Sequence, residues 1–270
     1  MSGRSWAVIL GASSGSGAAI AEAVADRPGL NVFGMHRGRY PEQAAAVERA
    51  VTDKGVRMVM RQADAGTAEG ALEGAKALFE VAGPRSVKLF VHSIASGSVG
   101  LLATGEAPLH PRQVEKTFDA MAHSFVYWTR ALLERELLAP DARLLGLTNP
   151  LSESLLPNCG AITAAKAALE IYVRQLAVEL GPRGYRVNLL KFGTVVTPAV
   201  RHVYPPETMA RLEEAHRLMN PAGRMCTVEE VARLVSVLVG EESSWFNGAT
   251  IDFTGGMMLR LIDLVLNRSP

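Results

Sequence analysis

Two groups of residues in this 270-residue chain have the types and spacing to hold a phosphorylated ligand. The first is Gly11-Ala-Ser13-Ser14-Gly15-Ser-Gly17, set between the apolar run Trp6–Leu10 and an alanine-rich segment of helical period. Glycines in such a turn let the backbone bend sharply and approach a pyrophosphate, whose charge then faces the helix amino terminus. The competing account is a tight turn without a ligand. The second group is Phe33-Gly-Met-His36-Arg37-Gly-Arg39, where the next apolar run ends. A site for NAD usually carries a carboxylate there for the ribose 2′-hydroxyl, and no acidic residue follows this run until Glu42. Arg37 and Arg39 with His36 suit a 2′-phosphate instead, because guanidinium binds phosphate bidentately. NADPH is therefore the expected cofactor, unless both arginines are merely solvated loop residues.

Such a loop needs a strand before it and a helix after it, and the chain supplies both repeatedly. Apolar or β-branched runs at Trp6–Leu10, Leu30–Met35, Val56–Met60, Lys88–Ser93, Arg143–Thr148, Arg186–Leu190 and Thr250–Phe253 read as strands. Helical periods fall near 16–27, 41–54, 69–82, 111–138, 160–181 and 227–239. Strands apolar on both faces and separated by helices imply an α/β fold: a Rossmann-type doubly wound parallel sheet of about seven strands with helices on both faces. No linker or repeat divides 1–270, which reads as a single dinucleotide-binding domain. Residues 198–222, rich in Pro, Arg and Met, interrupt the alternation after a strand and read as a substrate lid or a plain surface excursion.

Composition narrows the class. With 28 Lys+Arg against 27 Asp+Glu and no basic run, neither nucleic acid nor an anionic membrane is an expected partner. Two cysteines, Cys159 and Cys226, make no disulfide framework, and no metal-ligand spacing is present. No apolar stretch reaches the ~20 residues of a membrane helix, and no signal peptide fits before the glycine loop. A cytoplasmic protein with a small-molecule substrate is expected.

Nearly the whole chain resembles the short-chain dehydrogenase/reductase family. Besides the glycine loop, Gln62-Ala-Asp64-Ala65 stands where the family meets the adenine ring, and Arg186-Val-Asn188 precedes Gly193-Thr194-Val-Val-Thr197, like the segment whose threonine holds the cofactor amide or phosphate. Asn220-Pro-Ala-Gly223-Arg224 and the closing Gly255-Gly256 also fit. Val91-His-Ser93-Ile94-Ala95 replaces the usual Asn-Asn-Ala-Gly and is similar to the enoyl-acyl-carrier-protein reductase branch, as are Ser124-Phe125-Val126 and Pro157-Asn158 ahead of Lys166. The resemblance implies that Asp64, Ala65, Ser93, Ile94, Ala95, Lys166, Gly193, Thr194 and Thr197 join the glycine loop and the arginines around the cofactor.

At the catalytic positions the chain departs from the resemblance. Most members place a tyrosine four residues before the lysine and a serine thirteen before that tyrosine; here those positions are Ile162 and Asn149. Enoyl reductases place the tyrosine seven residues before the lysine, at Cys159 here, and the relay asparagine falls near Ala120. Reducing a ketone makes a basic alkoxide that needs a proton as hydride arrives, whereas hydride addition to an enoyl thioester makes a delocalised enolate that hydrogen bonds can support. Lys166, Asn149 and the cofactor ribose would supply such bonds. Cys159 reads as a small substrate-site filler, a weak donor, or a nucleophile whose pKa Lys166 lowers. Tyr204 in the lid segment would serve as a substitute acid or as ordinary packing, and His123 would face the substrate or a helix interface.

The expected activity is an NADPH-dependent reduction of an α,β-unsaturated thioester. The alternatives are a carbonyl reductase with a substitute acid and a protein that binds NADP(H) without redox turnover. Helices 111–138 and 160–181 match those that pair subunits in the resembling family, so a homodimer or homotetramer is expected, with Met257-Met-Leu259 and Leu261-Ile-Asp-Leu-Val-Leu266 as further interface candidates.

Overall fold

The computed structural model describes residues 5–150, 153, 155–257, 259–260, 263–264 and 266. Seven strands, β1 (Ser5–Leu10), β2 (Leu30–His36), β3 (Met58–Gln62), β4 (Val87–His92), β5 (Leu138–Thr148), β6 (Arg186–Phe192) and β7 (Thr250–Phe253), form one sheet in the order β3-β2-β1-β4-β5-β6-β7. Every neighbouring pair is parallel. Strand order reverses between β1 and β4, and in open parallel sheets that reversal opens a crevice at the carboxyl ends.

The two-sided burial of β1 explains its unbroken apolar run. Trp6, Val8 and Leu10 join a core with α3 (Ala68–Ala82), α5 (Ser124–Glu134) and α6 (Gly160–Leu180). Ala7 and Ile9 join the opposite core with α1 (Gly15–Val24), α2 (Pro41–Thr52) and α9 (Val228–Leu238). Period-2 alternation in β4 to β7 sends Leu144, Val187 and Leu189 toward α6, and Leu145, Leu190 and Phe253 toward α1 and α9.

The structure differs from the sequence reading at three places. The expected helix over 111–138 is α4 (Pro111–Phe118), a wide turn at Asp119–His123, then α5, and the chain is already in β5 at Leu138. β5 begins five residues before Arg143 because Asp141, in the left-handed region at φ 58, lets the strand bend and resume. Segment 198–222 holds two helices, α7 (Pro198–Val203) and α8 (Pro206–Met219), each opened by a proline. Proline lacks only a donor that the first helical position would leave unused, so there it starts a helix and does not break one. In the closing apolar stretch Leu259 and Leu266 are exposed, while Met258, Leu261, Ile262 and Val265 lie outside the described residues. Among the described residues no helix is long and apolar enough to cross a membrane.

Candidate active site

The ends of β1, β2 and β4 are laced together at the crevice. Gly11 and Ala12 donate from their amides to Met35 O, and Ser93 donates to Leu10 O. Gly11 turns at φ +79, and a Cβ there would sit 2.4 Å from Ser93 O. A Cβ on Gly17 would lie 2.2 Å from Gly11 O, so the loop closes on itself only with glycine. Ser14 is the extended cap residue of α1, and its side chain takes no amide of the first turn. Amides of a helix's first turn that no side chain caps are the donors an anion would use. Across from them Thr197, capping α7 through Val200 N, brings its methyl to 3.0 Å from a Cβ built on Gly15. The loop and the Gly193–Thr197 segment thus face one another across a narrow gap that no side chain on Gly11, Gly15 or Gly17 fills, a fit for a dinucleotide pyrophosphate.

At the second strand end, Arg37 is exposed and its guanidinium donates to Ser96 Oγ at 2.7 Å. Arg39 is exposed beside the Tyr40 ring, and His36 Nδ1 accepts from Gly38 N at 3.1 Å. Burial lowers the His36 pKa, outweighing the Glu48 carboxylate, so its ring stays neutral at pH 7. The positive groups at this edge are therefore the two arginines. Asp64 is exposed and accepts from Gly66 N; Ala65 is buried, its carbonyl taking the Trp128 indole N–H at 3.0 Å. Ser93 and Ile94 are half-buried and Ala95 is exposed.

Lys166 sits in the second turn of α6 with 6% of its surface exposed, and its Nζ donates to Leu147 O at the end of β5 at 2.7 Å. Burial pulls its pKa down to about 8, against a smaller opposing effect of Glu170. Asn149 follows β5 directly and is half-buried, and Gly193 and Thr194 follow β6. Ile162, one turn before the lysine, is packed by the loop after β4: a Cβ on Gly97 would lie 2.5 Å from Ile162 Cγ1. Cys159 is 3% exposed and is not within the helix; it ends the single turn Pro157–Cys159 and caps α6. Its thiol lies 3.6 Å from Asn158 Oδ1, and burial alone raises its pKa. Burial holds the thiol protonated and Lys166 does not counter it, which favours the filler and weak-donor readings over the nucleophile. Tyr204, directly after α7, is half-buried; burial and then the Cys159 thiol raise its pKa. The Tyr204 phenol thus stands within electrostatic reach of the Cys159 thiol, which their separation in sequence does not reveal.

His123 is placed elsewhere. Its Nδ1 pairs with Tyr172 Oη at 3.1 Å, and its ring stands among those of Phe118, Tyr127 and Tyr172. The wide turn at Asp119–His123 sends it to this aromatic cluster between helices, so it is not part of the Lys166 group.

Two features escaped the sequence reading. His92 is fully buried at the end of β4, with Nε2 2.7 Å from Ser124 Oγ; burial, then the Lys166 charge, pulls its pKa to about 3. Lys191 in β6 is 9% exposed and paired with Glu153 at 2.6 Å and Asp252 at 2.9 Å. Burial lowers the Lys191 pKa, but its two carboxylate partners outweigh that and the net shift is upward. The signal available in the sequence was opposite charges in adjacent apolar strands, Leu189-Leu190-Lys191-Phe192 and Ile251-Asp252-Phe253. Among the described residues no cluster of metal ligands occurs.

Comparison with known proteins adds three findings. A family model described as enoyl-(acyl carrier protein) reductase matches residues 11–258. The chain is 27% identical over 258 residues to 1-cyclohexenylcarbonyl-CoA reductase of Streptomyces collinus, covering 95% of this chain and 88% of that one. It is 31% identical over 141 residues, 52% of each chain, to the enoyl-[acyl-carrier-protein] reductase [NADH] of Escherichia coli. Among solved structures, L-sorbose reductase of Gluconobacter frateurii with NADPH and L-sorbose superposes with a TM-score of 0.81 at 22% identity, over 94% of this chain and 96% of that one. At that identity the last likeness speaks for the fold alone.

Proposed function

Because this chain belongs to the enoyl-(acyl carrier protein) reductase family of short-chain dehydrogenases/reductases, and so is an oxidoreductase that binds a nicotinamide cofactor, we propose that it reduces an α,β-unsaturated thioester with NADPH. The observation that carries the reading is Lys166: a buried ammonium at the end of β5, with a pKa of about 8, beside positions held by Ile162 and Cys159 and by no tyrosine. The cradle of Gly11, Gly15, Gly17 and Thr197 would hold the pyrophosphate, Arg37 and Arg39 the 2′-phosphate, and Lys166 the ribose. When bound, the cofactor supplies hydride for the β-carbon of the substrate. Charge then collects on the thioester oxygen as an enolate, which Lys166 and Asn149 stabilise by hydrogen bonds without a phenol. Lys166 holds a proton that its lowered pKa makes easier to release near neutral pH. The similarity to a reductase whose name specifies a cyclohexenylcarbonyl thioester supports the same choice.

One observation favours a second reading. Tyr204, half-buried and within electrostatic reach of Cys159, offers a phenol that would act as the acid for a carbonyl substrate. Helices α7 and α8 would then form the lid that delivers it. For assembly, we infer a homodimer or homotetramer through α5 and α6, where Ile171 and Val178 stand 56% and 74% exposed; light scattering reads the mass directly. The function is tested by NADPH absorbance with crotonyl and longer enoyl thioesters, and with matched keto compounds. NADPH oxidation with a two-hydrogen mass gain at the double bond supports the proposal. Oxidation with keto compounds alone supports the second reading, and tight NADPH binding with no acceptor refutes both.

A further inference from the structure

Lys191 is an unexpected residue for its position. In β6 it follows Val187 and Leu189 on the side of the strand that packs on α6, where an apolar side chain would extend the core. Instead an ammonium that is 9% exposed reaches carboxylates on two other elements. Glu153 Oε1, in the segment after β5, lies at 2.6 Å, and Asp252 Oδ2, its registered neighbour on β7, at 2.9 Å. Both carboxylates are about half exposed, so neither pair contributes much to stability. What an ammonium held between two carboxylates fixes is position, since each bond is short and directional.

Both carboxylates carry the tie outward. The Glu153 amide donates to Pro150 O at 2.9 Å, which places this ion pair one short turn beyond Asn149, the residue that follows β5 at the crevice. Asp252 uses its second oxygen, Oδ1, to accept from Thr254 N at 3.0 Å and from Thr254 Oγ1 at 2.6 Å, which shapes the turn after β7. Thr254 O in turn accepts from the Asn220 side-chain amide at 3.5 Å. Asn220 ends α8, with its backbone amide on His216 O at 2.8 Å. A Cβ on Gly255 would lie 2.6 Å from Asn220 Oδ1, so the turn after β7 and the end of α8 are in close contact. One line of bonds therefore runs from the segment after Asn149, through Lys191, to the far end of segment 198–222.

We propose that Lys191 is a clasp: it holds the segment after β5 and the end of α8 at a fixed spacing across the carboxyl edge of the sheet, and so sets where Asn149 and the lid segment meet the substrate. It is a positioning residue, acting through Glu153 on one side and Asp252 on the other. An aliphatic residue at 191 would keep the strand and lose both ties. The outer partners are half-exposed carboxylates, so either tie can open without disturbing the apolar core beneath it. The tethering stands by itself; its effect on turnover rests on the proposed reductase activity, because only that reading puts Asn149 at the enolate oxygen.

Hydrogen exchange read by mass spectrometry on the full chain tests the tethering. In Lys191→Met, exchange should be about three- to fivefold faster over 149–159, 216–222 and 254–257, the factor that loss of weak, half-exposed ion pairs allows, and unchanged over β1 and α3. Glu153→Ala should reproduce the change over 149–159 alone, and Asp252→Ala the changes over 216–222 and 254–257 alone. Exchange that is unaltered, or faster by one factor throughout the chain, overturns the clasp, and so does an identical pattern in Glu153→Ala and Asp252→Ala. For the positioning role, Lys191→Met should lower kcat on an enoyl thioester about tenfold with NADPH affinity within about twofold, because a catalytic hydrogen bond is sensitive to displacement of its donor. Lys54→Met, which removes the Lys54–Asp26 pair at 2.8 Å beyond the end of α1, is the control and should change neither. An unchanged kcat in Lys191→Met overturns the positioning role. Absence of turnover in the unmodified protein with every acceptor would instead refute the reductase reading and leave the exchange result standing.

Discussion

Replacing Lys166 by Met should make the cofactor-free protein more stable at pH 7 while weakening its grip on NADPH. The lysine is buried with its pKa drawn from 10.5 to about 8, so below pH 8 the fold holds an ammonium that water would hold better. At about 1.36 kcal/mol for each pKa unit, that burial opposes folding by about 3 kcal/mol. Methionine has a similar length and no charge, but Leu147 O loses its donor, which costs about 1 kcal/mol. The net expectation at pH 7 is a gain of about 2 kcal/mol, or about 4–8 °C in Tm for a chain of this size. The sign reverses the usual salt-bridge case. A folded pKa below the unfolded one means that the unfolded chain binds more protons, so the wild-type protein gains stability from this group as pH rises from about 8 to 10.5. Urea unfolding of both proteins at pH 7, 8.5 and 10 checks the magnitude and the trend, and the advantage of the variant should vanish by about pH 10. A variant less stable at pH 7, or an advantage equal at pH 7 and pH 10, would refute the reasoning. Titration with NADPH completes the assay, with affinity expected to fall at least tenfold.

Four further substitutions probe the remaining parts. Gly17→Ala puts a Cβ 2.2 Å from Gly11 O; it should abolish cofactor binding and lower Tm, checked by fluorescence titration and calorimetry. Arg37→Ala should weaken NADPH binding by about 1.5–3 kcal/mol, tenfold or more, and leave NADH binding unchanged, because only NADPH carries the 2′-phosphate. Lys191→Met leaves Glu153 and Asp252 facing one another; both carboxylates are about half exposed, so the loss should be no more than about 1 kcal/mol. Partners outweigh burial and depress the Asp252 pKa, so this contribution is present above pH 3.8 and disappears as pH falls through the depressed value, a trend that acid titration of both proteins would show. Cys159→Tyr should raise the rate with an enoyl thioester if the cysteine is only a filler, at about 1–3 kcal/mol of stability for overpacking a 3% exposed site; a large loss of rate in a folded variant would sink the filler reading.

What the sequence made legible follows from which features are local. A strand buried on both faces reads as an unbroken apolar run, so Trp6–Leu10 of β1 announces itself, and Gly17 is required by the backbone of its own turn. The wide turn at Asp119–His123 is not legible, because its residues keep a helical period and differ from α-helix only in how the backbone closes. Pro198 and Pro206 read as breaks in a loop, since the same residue stops a helix in its interior and starts one at its first position. In the site, Lys166 and the segment holding His92 are reached through the resemblance, while the buried hydroxyls of Thr148 and Thr163 carry no signal of their own. A threonine in a strand or a helix is ordinary until the fold denies it a partner. The nearness of Tyr204 to Cys159 depends on where α7 leaves the sheet edge, which no spacing encodes.

Burial shifts the two proton donors nearest the proposed chemistry in opposite directions. Ile162, half-buried against the loop after β4, stands one turn ahead of Lys166, and the lysine is 6% exposed. Loss of solvent draws the ammonium pKa toward neutrality, and a proton then becomes available from Lys166 itself. A buried tyrosine moves the other way, since burial penalises its anion and raises its pKa, as Tyr204 shows. An active site that dries out therefore makes a lysine a better acid and a phenol a worse one. A lysine whose pKa burial has lowered suits the proposed enolate, which needs a modest acid, better than an alkoxide, which forms only with a proton already at hand.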